Sequence, residues 1–405
     1  MAVNTLLTSQ VITNELLRRF KNNLGFSGAV AHTWDDKFAV EGAKIGDTLR
    51  LRDPVMFVAS AGPVMSPQNV VENQKTLQLS NQQVVGFAFT SKDLTLSIDN
   101  FAARYLDSAA VALANAVDIA GLTMADANVP NLVGTVGTPI TTAVPFWTAG
   151  EMLDTSSAPM DGTRSMVIPP KIQTAALTTF QGLFQSSSQV KQQYERGRMG
   201  IMGGFEWVMD QNCVTHTNGP LGGAPQVGAA NQTGSTLATT GWTAAAAVRL
   251  NAGDVFTLPS VFRVNRVSGA VKTDLQQFTV LANASSDATG AATLSIYPPI
   301  VTTMPGQTVS ASPAAGAPLT IVTGTTGQLS IQGIAFHKDA FTLGMAPLEV
   351  PKNIQFGANQ QDPDTGCAIR MVSMYDIIND LFVTRCDVLF GWAATRPEWA
   401  CKVVQ

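Results

Sequence analysis

The chain has 405 residues, 45% of them hydrophobic and only 13% charged, with a formal net charge of −4. Ordinary soluble domains carry roughly a quarter charged residues, so this composition fits either a membrane protein or a chain whose surface is covered by partners, since obligate interfaces are depleted in charge. No apolar run approaches the ~20 residues of a bilayer span, because Asn115 and Asp118 interrupt the stretch 108–120, and a net negative charge argues against tight non-specific binding of nucleic acid, which needs clustered Lys and Arg.

Residues 1–45 are expected to form an arm. Leu6, Leu7, Val11, Leu16, Leu17 and Phe20 follow the spacing of an amphipathic helix over 3–24. No basic segment followed by an apolar run opens the chain, so no signal peptide is expected. Residues 46–96 read as long strands: Leu49 and Leu51, Leu77 and Leu79, then Val85, Phe87 and Phe89 alternate with polar or small neighbours. The Pro-, Gly- and Asn-rich stretch 56–73 between them suggests a projecting β-loop with little core of its own. Its apolar face needs cover from an adjacent subunit, which makes those seven residues candidate contact positions.

A long helix is expected over 97–125. Ser97 or Asp99 can cap it, and Ile98, Phe101, Ala102, Tyr105, Ala109, Ala112, Leu113, Ala116 and Ile119 fall on one stripe. Gly121 is where it is expected to weaken or end. A second helix follows Pro169-Pro170, with Ile172, Ala175, Ala176, Phe180 and Leu183 at helical spacing. Residues 97–213 together read as the first part of a host domain. Residues 214–336 are rich in Gly, Thr, Ala, Ser and Pro. Short strands at 254–258, 261–265, 278–281 and 293–297, with turns at 251–254 and 287–290, predict a small inserted β-barrel or sandwich. Residues 337–405 return to the host and end on a strand-like run at 387–392.

Enzyme templates come back nearly empty. There is no Gly-x4-Gly-Lys-Ser/Thr phosphate loop and no Gly-x-Ser-x-Gly elbow. The glycines of 197–204 lack dinucleotide-fingerprint spacing and read as turns. Cys213 and His216 have the spacing of half a zinc site, but no second pair lies nearby, so a structural thiol beside a loop histidine is the better reading. The four cysteines show no framework spacing and read as reduced thiols. No catalytic residue, cofactor or metal is expected.

Four segments carry a family resemblance. The turn-and-strand 195–207, with Gly197, Gly200, Gly204 and Phe205, resembles a recurring capsid segment. Residues 252–280, opening on Gly253-Asp254, resemble the inserted β-domain of the P22 coat-protein family of short-tailed Salmonella phages. The stretch 335–341, with Phe336, His337 and Asp339, resembles the strand and turn by which such chains leave that insertion, and Thr395-Arg396-Pro397 resembles the family's C-terminal ending. The resemblance implies an α+β, HK97-like capsid fold: N-terminal arm, extended β-loop, long spine helix, peripheral and axial domains, and the inserted barrel. It implies a major capsid protein of the virion, assembled in the host cytoplasm as pentamers and hexamers of a closed icosahedral shell around double-stranded DNA. A separate scaffolding protein and a portal protein are the implied partners, with no membrane. A bacterial protein-cage subunit, a β-rich binding module and a hydrolase are the rival readings. The first would need cargo partners, the second a secretory signal, and the third a nucleophile–base pair.

Overall fold

The computed structural model describes residues 9–32, 48–52, 57, 74–90, 106–180, 200–352, 354, 356–362 and 365–405. Its helices are α1 (Ser9–Asn22), α2 (Asp107–Asn128), α3 (Val144–Thr155) and α4 (Pro170–Phe180). Its strands begin with β1 (Ala31–His32), β2 (Thr48–Arg52), β3 (Gln74–Gln78), β4 (Asn81–Thr90), β5 (Asn131–Gly134), β6 (Arg164–Ile168), β7 (Ile201–Met202), β8 (Phe205–Met209) and β9 (Thr215–Thr217). They continue as β10 (Gly223–Val227), β11 (Gly234–Trp242), β12 (Ala247–Leu250), β13 (Val255–Val264), β14 (Val271–Val280), β15 (Ala284–Ser286), β16 (Ala292–Ile300) and β17 (Thr320–Ile321). The last are β18 (Leu329–His337), β19 (Phe341–Ala346), β20 (Phe356–Gln361), β21 (Ala368–Asp376), β22 (Leu381–Ala394) and β23 (Ala400–Val404). The fold is mixed α+β, and the chain forms two compact units.

The first unit comprises Met1–Leu51, Gln74–Gly121 and Thr342–Ala393. Its sheet runs β1-β19-β22-β21-β20, with β4 also paired to β22. Helix α1 packs on β20 and β21 and buries Thr13, Leu16, Leu17 and Phe20, an i, i+3, i+4, i+7 set. Strands β2 and β3 form a two-stranded ribbon. Strand β4, expected on the projecting loop, instead pairs antiparallel with β22 along ten residues, from Asn81 opposite Phe390 to Thr90 opposite Leu381. The physical reason is that an open strand edge is a row of unpaired backbone groups, which an adjacent strand satisfies.

Helix α2 runs on through Gly121 to Asn128, so the expected end there is wrong. Gly121 is present because of packing: a Cβ at that position would lie 2.5 Å from the Trp392 ring and 2.9 Å from Phe26. The buried stripe is Leu106, Ala109, Ala110, Leu113, Ala114, Val117, Leu122 and Ala125. It is rotated from the expected one, for Ala112 is exposed and Ile119 is 47% exposed. The capping positions and the residues before 106 lie outside the described residues. Asp118 is buried because it accepts from the Gly25 and Ser27 amides, both at 2.8 Å, and from the Ser27 hydroxyl. By length and composition alone α2 is apolar enough to cross a membrane, contrary to the sequence expectation, yet half of its most apolar window is buried within the chain.

The second unit comprises Arg52–Asn73, Leu122–Phe341 and Ala394–Gln405. One sheet runs β5-β23-β18-β6-β8-β7, with β9 on β18. Helices α3 and α4 lay Phe146, Leu153, Ile172, Ala176 and Phe180 against Met166, Ile168, Phe205, Ala335 and Val403. Phe146, Phe180 and Trp207 meet at centroid distances of 5.2–5.9 Å, in the tilted and edge-on arrangements that aromatic rings prefer.

The other sheet runs β10-β11-β16-β14-β13-β17. Its outer strands are joined by the segment entering β17: the Val227 amide donates to the Ala317 carbonyl at 2.9 Å and the Leu319 amide to Pro225 at 3.0 Å, while β17 itself pairs with β13. The sheet therefore closes into a barrel, which settles the barrel-or-sandwich alternative. Its interior is filled by Leu237, Phe256, Leu258, Val261, Phe278, Leu294, Ile296 and Ile300. The two strands expected at 254–258 and 261–265 are one strand, β13, bent at Pro259 and Ser260, where Ser260 has φ 62°. Both expected turns are present: the Asp254 amide donates to the Asn251 carbonyl at 3.1 Å and the Gly290 amide to Asp287 at 3.2 Å. Strands β9 and β18 belong to the larger sheet, so the barrel occupies a narrower span than 214–336.

Two measurements follow. Gly121→Ala should lose about 1–3 kcal/mol in urea unfolding through overpacking, although alanine gains up to ~1 kcal/mol of helix propensity; unchanged stability would remove the packing argument. Residues 218–328 expressed alone should give a β-type circular dichroism spectrum and a cooperative melt, and a fragment without a thermal transition would show that the barrel needs its host.

Candidate assembly elements and a buried charge cluster

The seven candidate contact residues do not behave alike. Leu77 is fully buried within its own chain, with its Cδ2 only 2.5 Å from where a Gly344 Cβ would stand. It is a core residue, and its assignment to a subunit contact is corrected; Gly344 leaves the space that receives it. Leu79, Val85 and Phe87 are half-buried, while the alternate residues Val84, Gly86 and Ala88 are exposed. Leu49 and Leu51 lie on β2 and Phe89 on β4, but their side chains fall outside the described residues.

Gly197 also falls outside them. Gly200 and Gly204 adopt φ 66° and 80° with open space around the missing Cβ, so they serve the backbone, Gly204 in the β7–β8 turn and Gly200 just before β7. Phe205 is 2% exposed, under Gly150 of α3. The two late motifs, 335–341 and 395–397, meet in space. The Arg396 amide donates to the Ala340 carbonyl at 2.9 Å, and the His337 ring stands edge-on to Trp399 at 5.3 Å. Arg396 stacks over that same Trp399 ring at 4.1 Å. His337 is buried beside the Thr163 hydroxyl at 3.0 Å and accepts the Asp339 amide at Nδ1, while Phe336 packs on Phe341 at 5.6 Å. Thr395 is half-buried, and Pro397 is buried at the start of the short turn before β23.

The densest chemistry lies where the barrel leaves the larger sheet. Asp126 stands in the last turn of α2, His216 in β9, Gly253 and Asp254 in the turn entering β13, and Lys402 in β23. His216 Nδ1 lies 2.9 Å from Asp126 Oδ2, and its Nε2 lies 2.8 Å from Asp254 Oδ1. Lys402, 1% exposed, donates to the carbonyls of Asp126 at 2.6 Å and Gly253 at 2.9 Å and sits 3.2 Å from Asp126 Oδ1. The second Asp254 oxygen accepts from the amides of Gly219 at 3.0 Å and Asn251 at 2.8 Å. Gly253 is required twice over: its φ is 96°, and a Cβ would press within 3.0 Å of both the Asp126 carbonyl and the His216 ring. With His216 protonated, two cations face two carboxylates.

Burial works against charge on His216, but hydrogen bonds to Asp126 and Asp254 outweigh it and the imidazole is pushed up to about 9. Burial likewise opposes the Asp126 carboxylate, but the Lys402 charge and the His216 hydrogen bond hold it down at about 2. Both ring nitrogens of His216 are thus engaged by carboxylates, so the half-zinc spacing with Cys213 has a different meaning, and no metal-holding group of His, Cys, Asp or Glu occurs among the described residues. Sequence reading missed Asp126 and Lys402 altogether.

A charge whose pKa is raised in the folded state stabilises below its unfolded value and ceases to do so above its folded one. His216 therefore contributes fully below 6.5 and loses its contribution as the pH rises through about 9. Asp126, being depressed, contributes above 3.8 and loses it as the pH falls through about 2. Urea unfolding should show stability dropping by on the order of a few kcal/mol between pH 7 and pH 10, and His216→Gln should lack that alkaline loss; parallel declines in the two proteins would sink the assignment. Lys402→Met should cost about 3–5 kcal/mol, since it strands buried carboxylate charge.

The family model for the P22 coat protein, gene protein 5, matches residues 1–403. Among curated proteins, none matches the sequence. Similar solved structures include one from Mycobacterium phage Che8, with TM-score 0.44 and 12% identity over 93% of this chain and 90% of that one. The capsid of Ralstonia phage GP4 has TM-score 0.45 and 7% identity over 89% and 83%. A virus-like particle from Pyrococcus furiosus has TM-score 0.43 and 9% identity over 98% and 97%. At such scores and identities these likenesses carry no weight beside the sequence match, which spans nearly the whole chain, and by that match the chain belongs to the P22 coat protein family.

Proposed function

We propose that this coat protein is the major capsid protein whose copies, as pentamers and hexamers, close an icosahedral shell around double-stranded DNA. The match to the coat-protein family over residues 1–403 carries that reading. The proposal extends to a separate scaffolding protein and a portal protein as assembly partners, to assembly in the host cytoplasm, and to a structural rather than enzymatic role. It takes 1–45 as the arm, the β-loop within 46–96 as a contact element, and the barrel within 214–336 as the inserted domain.

Surface chemistry supports it. The hairpin joining β21 and β22 carries Ile377 at 83% exposure and Ile378 at 92%, and the cross-strand pair Met374 and Val383 on its legs is exposed as well. Apolar residues grouped this way mark contact surfaces. In a closed shell the same weak contact recurs at every copy, so modest individual affinities sum to a stable particle.

Expression with the scaffolding protein followed by negative-stain imaging tests the proposal: closed shells of uniform size are expected, and a chain that stays monomeric under all conditions would overturn it. Ile378→Asp should leave the subunit's melting temperature within about 1 °C, because an exposed position contributes little to folding. It should sharply lower the yield of shells, because a carboxylate buried at a contact without a partner is costly. Normal shell yield from this variant would remove the hairpin from the contact surface.

A further inference from the structure

The loop that enters β6 holds a chain of hydrogen bonds running from the surface to a buried histidine. Asp161 Oδ1 accepts from the Thr163 amide at 3.0 Å and from the Thr163 hydroxyl at 2.7 Å, in the manner of an Asx turn. That hydroxyl, its own proton committed to Asp161, accepts from His337 Nε2 at 3.0 Å. His337 Nδ1 in turn accepts from the Asp339 amide at 3.2 Å, so the neutral ring carries its proton on Nε2. Nε2 also lies 3.3 Å from both Asp161 oxygens. Trp399 stands edge-on to the ring and helps to fix it. The buried histidine of the 335–341 motif thus backs a turn whose own residues, 161–163, are exposed.

The sequence at this turn is chemically labile. A glycine after Asp or Asn presents a backbone nitrogen with no side chain to hinder its attack on the preceding side-chain carbonyl carbon. The chain has one Asp–Gly step, Asp161-Gly162, and one Asn–Gly step, Asn218-Gly219. Burial closes the second. Asn218 is 1% exposed and donates to the Gly324 and Thr325 carbonyls at 2.9 and 2.8 Å, while the Gly219 amide is committed to Asp254 at 3.0 Å. The first lacks that cover: about half of the Asp161 side chain is exposed, and Gly162 has open space around its missing Cβ. Its protection is electronic. The Thr163 hydroxyl and amide hold the Asp161 carboxyl down at about 2, and a carboxylate is a far poorer electrophile than the neutral acid.

We propose that Asp161-Gly162 is a latent succinimide-forming site and that Thr163, positioned by His337, is its guard. In the reaction held back, the Gly162 nitrogen attacks Cγ of the neutral Asp161 acid. A C–N bond forms, and the carboxyl hydroxyl leaves as water with the amide proton. Water then opens the ring at either carbonyl, returning aspartate or leaving isoaspartate, which adds one atom to the backbone. That atom would fall just before β6, whose five residues are all buried and whose Arg164 lies opposite His337 in the sheet. This site stands independently of the shell-forming role.

Incubation of the full-length subunit at neutral pH tests it, with isoaspartate labelled by an isoaspartyl methyltransferase and located by peptide mass spectrometry. Thr163 is exposed, so its replacement should leave folding intact. Thr163→Val should accumulate isoaspartate at position 161 several-fold faster than the wild type. Thr163→Ser, which keeps the hydroxyl, should hold the wild-type rate, and the double variant D161E/T163V should lose the label. A T163V rate equal to that of the wild type overturns the proposal, as does a T163S rate as fast as that of T163V. Folded wild-type protein that reacts at Asp161 as fast as the urea-unfolded chain also overturns it.

Discussion

The second unit depends on one buried arrangement of charge. Lys402 sits on the C-terminal strand and Asp126 at the end of the long helix; His216 leads into the barrel, and Asp254 lies just before strand β13. Removing four ionisable groups from water is expensive, and mutual attraction repays that cost only when every group finds its partners. Here the partners come from segments up to 276 residues apart in the chain. The geometry therefore exists only once the helix end, the strand leading into the barrel, the barrel turn and the last strand are all in place. The cluster therefore ties the turn that enters the barrel to the end of the helix and to the last strand.

The barrel itself needs no such device to hold its shape. Its two outer strands are closed by the 317–321 segment, so no open edge remains on that side to pair with another chain. A protein that must assemble through chosen surfaces gains from this, because an unprotected strand edge is a template for unwanted pairing. The exposed apolar residues of the first unit are instead concentrated at a hairpin tip and its legs, where side chains and not backbone make the surface. Strand β4 commits one backbone edge to β22, pairing along ten residues.

Several features were legible in advance because they depend on local chemistry. Low charge with ample apolar content pointed to covered surfaces, the 3.6-residue period marked α1, α2 and α4, and Gly-containing turns with alternating strands marked the barrel. The Gly253-Asp254 motif was visible as a family feature, although its reason was not. Period-two alternation identified Leu77 correctly as a strand residue with a covered face, but alternation reports that a face is covered and never by what; Gly344 of the same chain does the covering.

What the sequence alone determined is three of the four described helices, the strand-rich character of the barrel region and the family, because short-range periodicity, turn residues and motif order are properties of neighbouring positions. What only the tertiary structure decided is which distant residues share a site. Asp126 and Lys402 carry no spacing signal, since an ion pair between positions 276 apart leaves no local trace. Gly121 looked like a helix end because glycine's backbone freedom is a local property, whereas its actual role is to leave room for the Trp392 ring, which arrives from the far end of the chain.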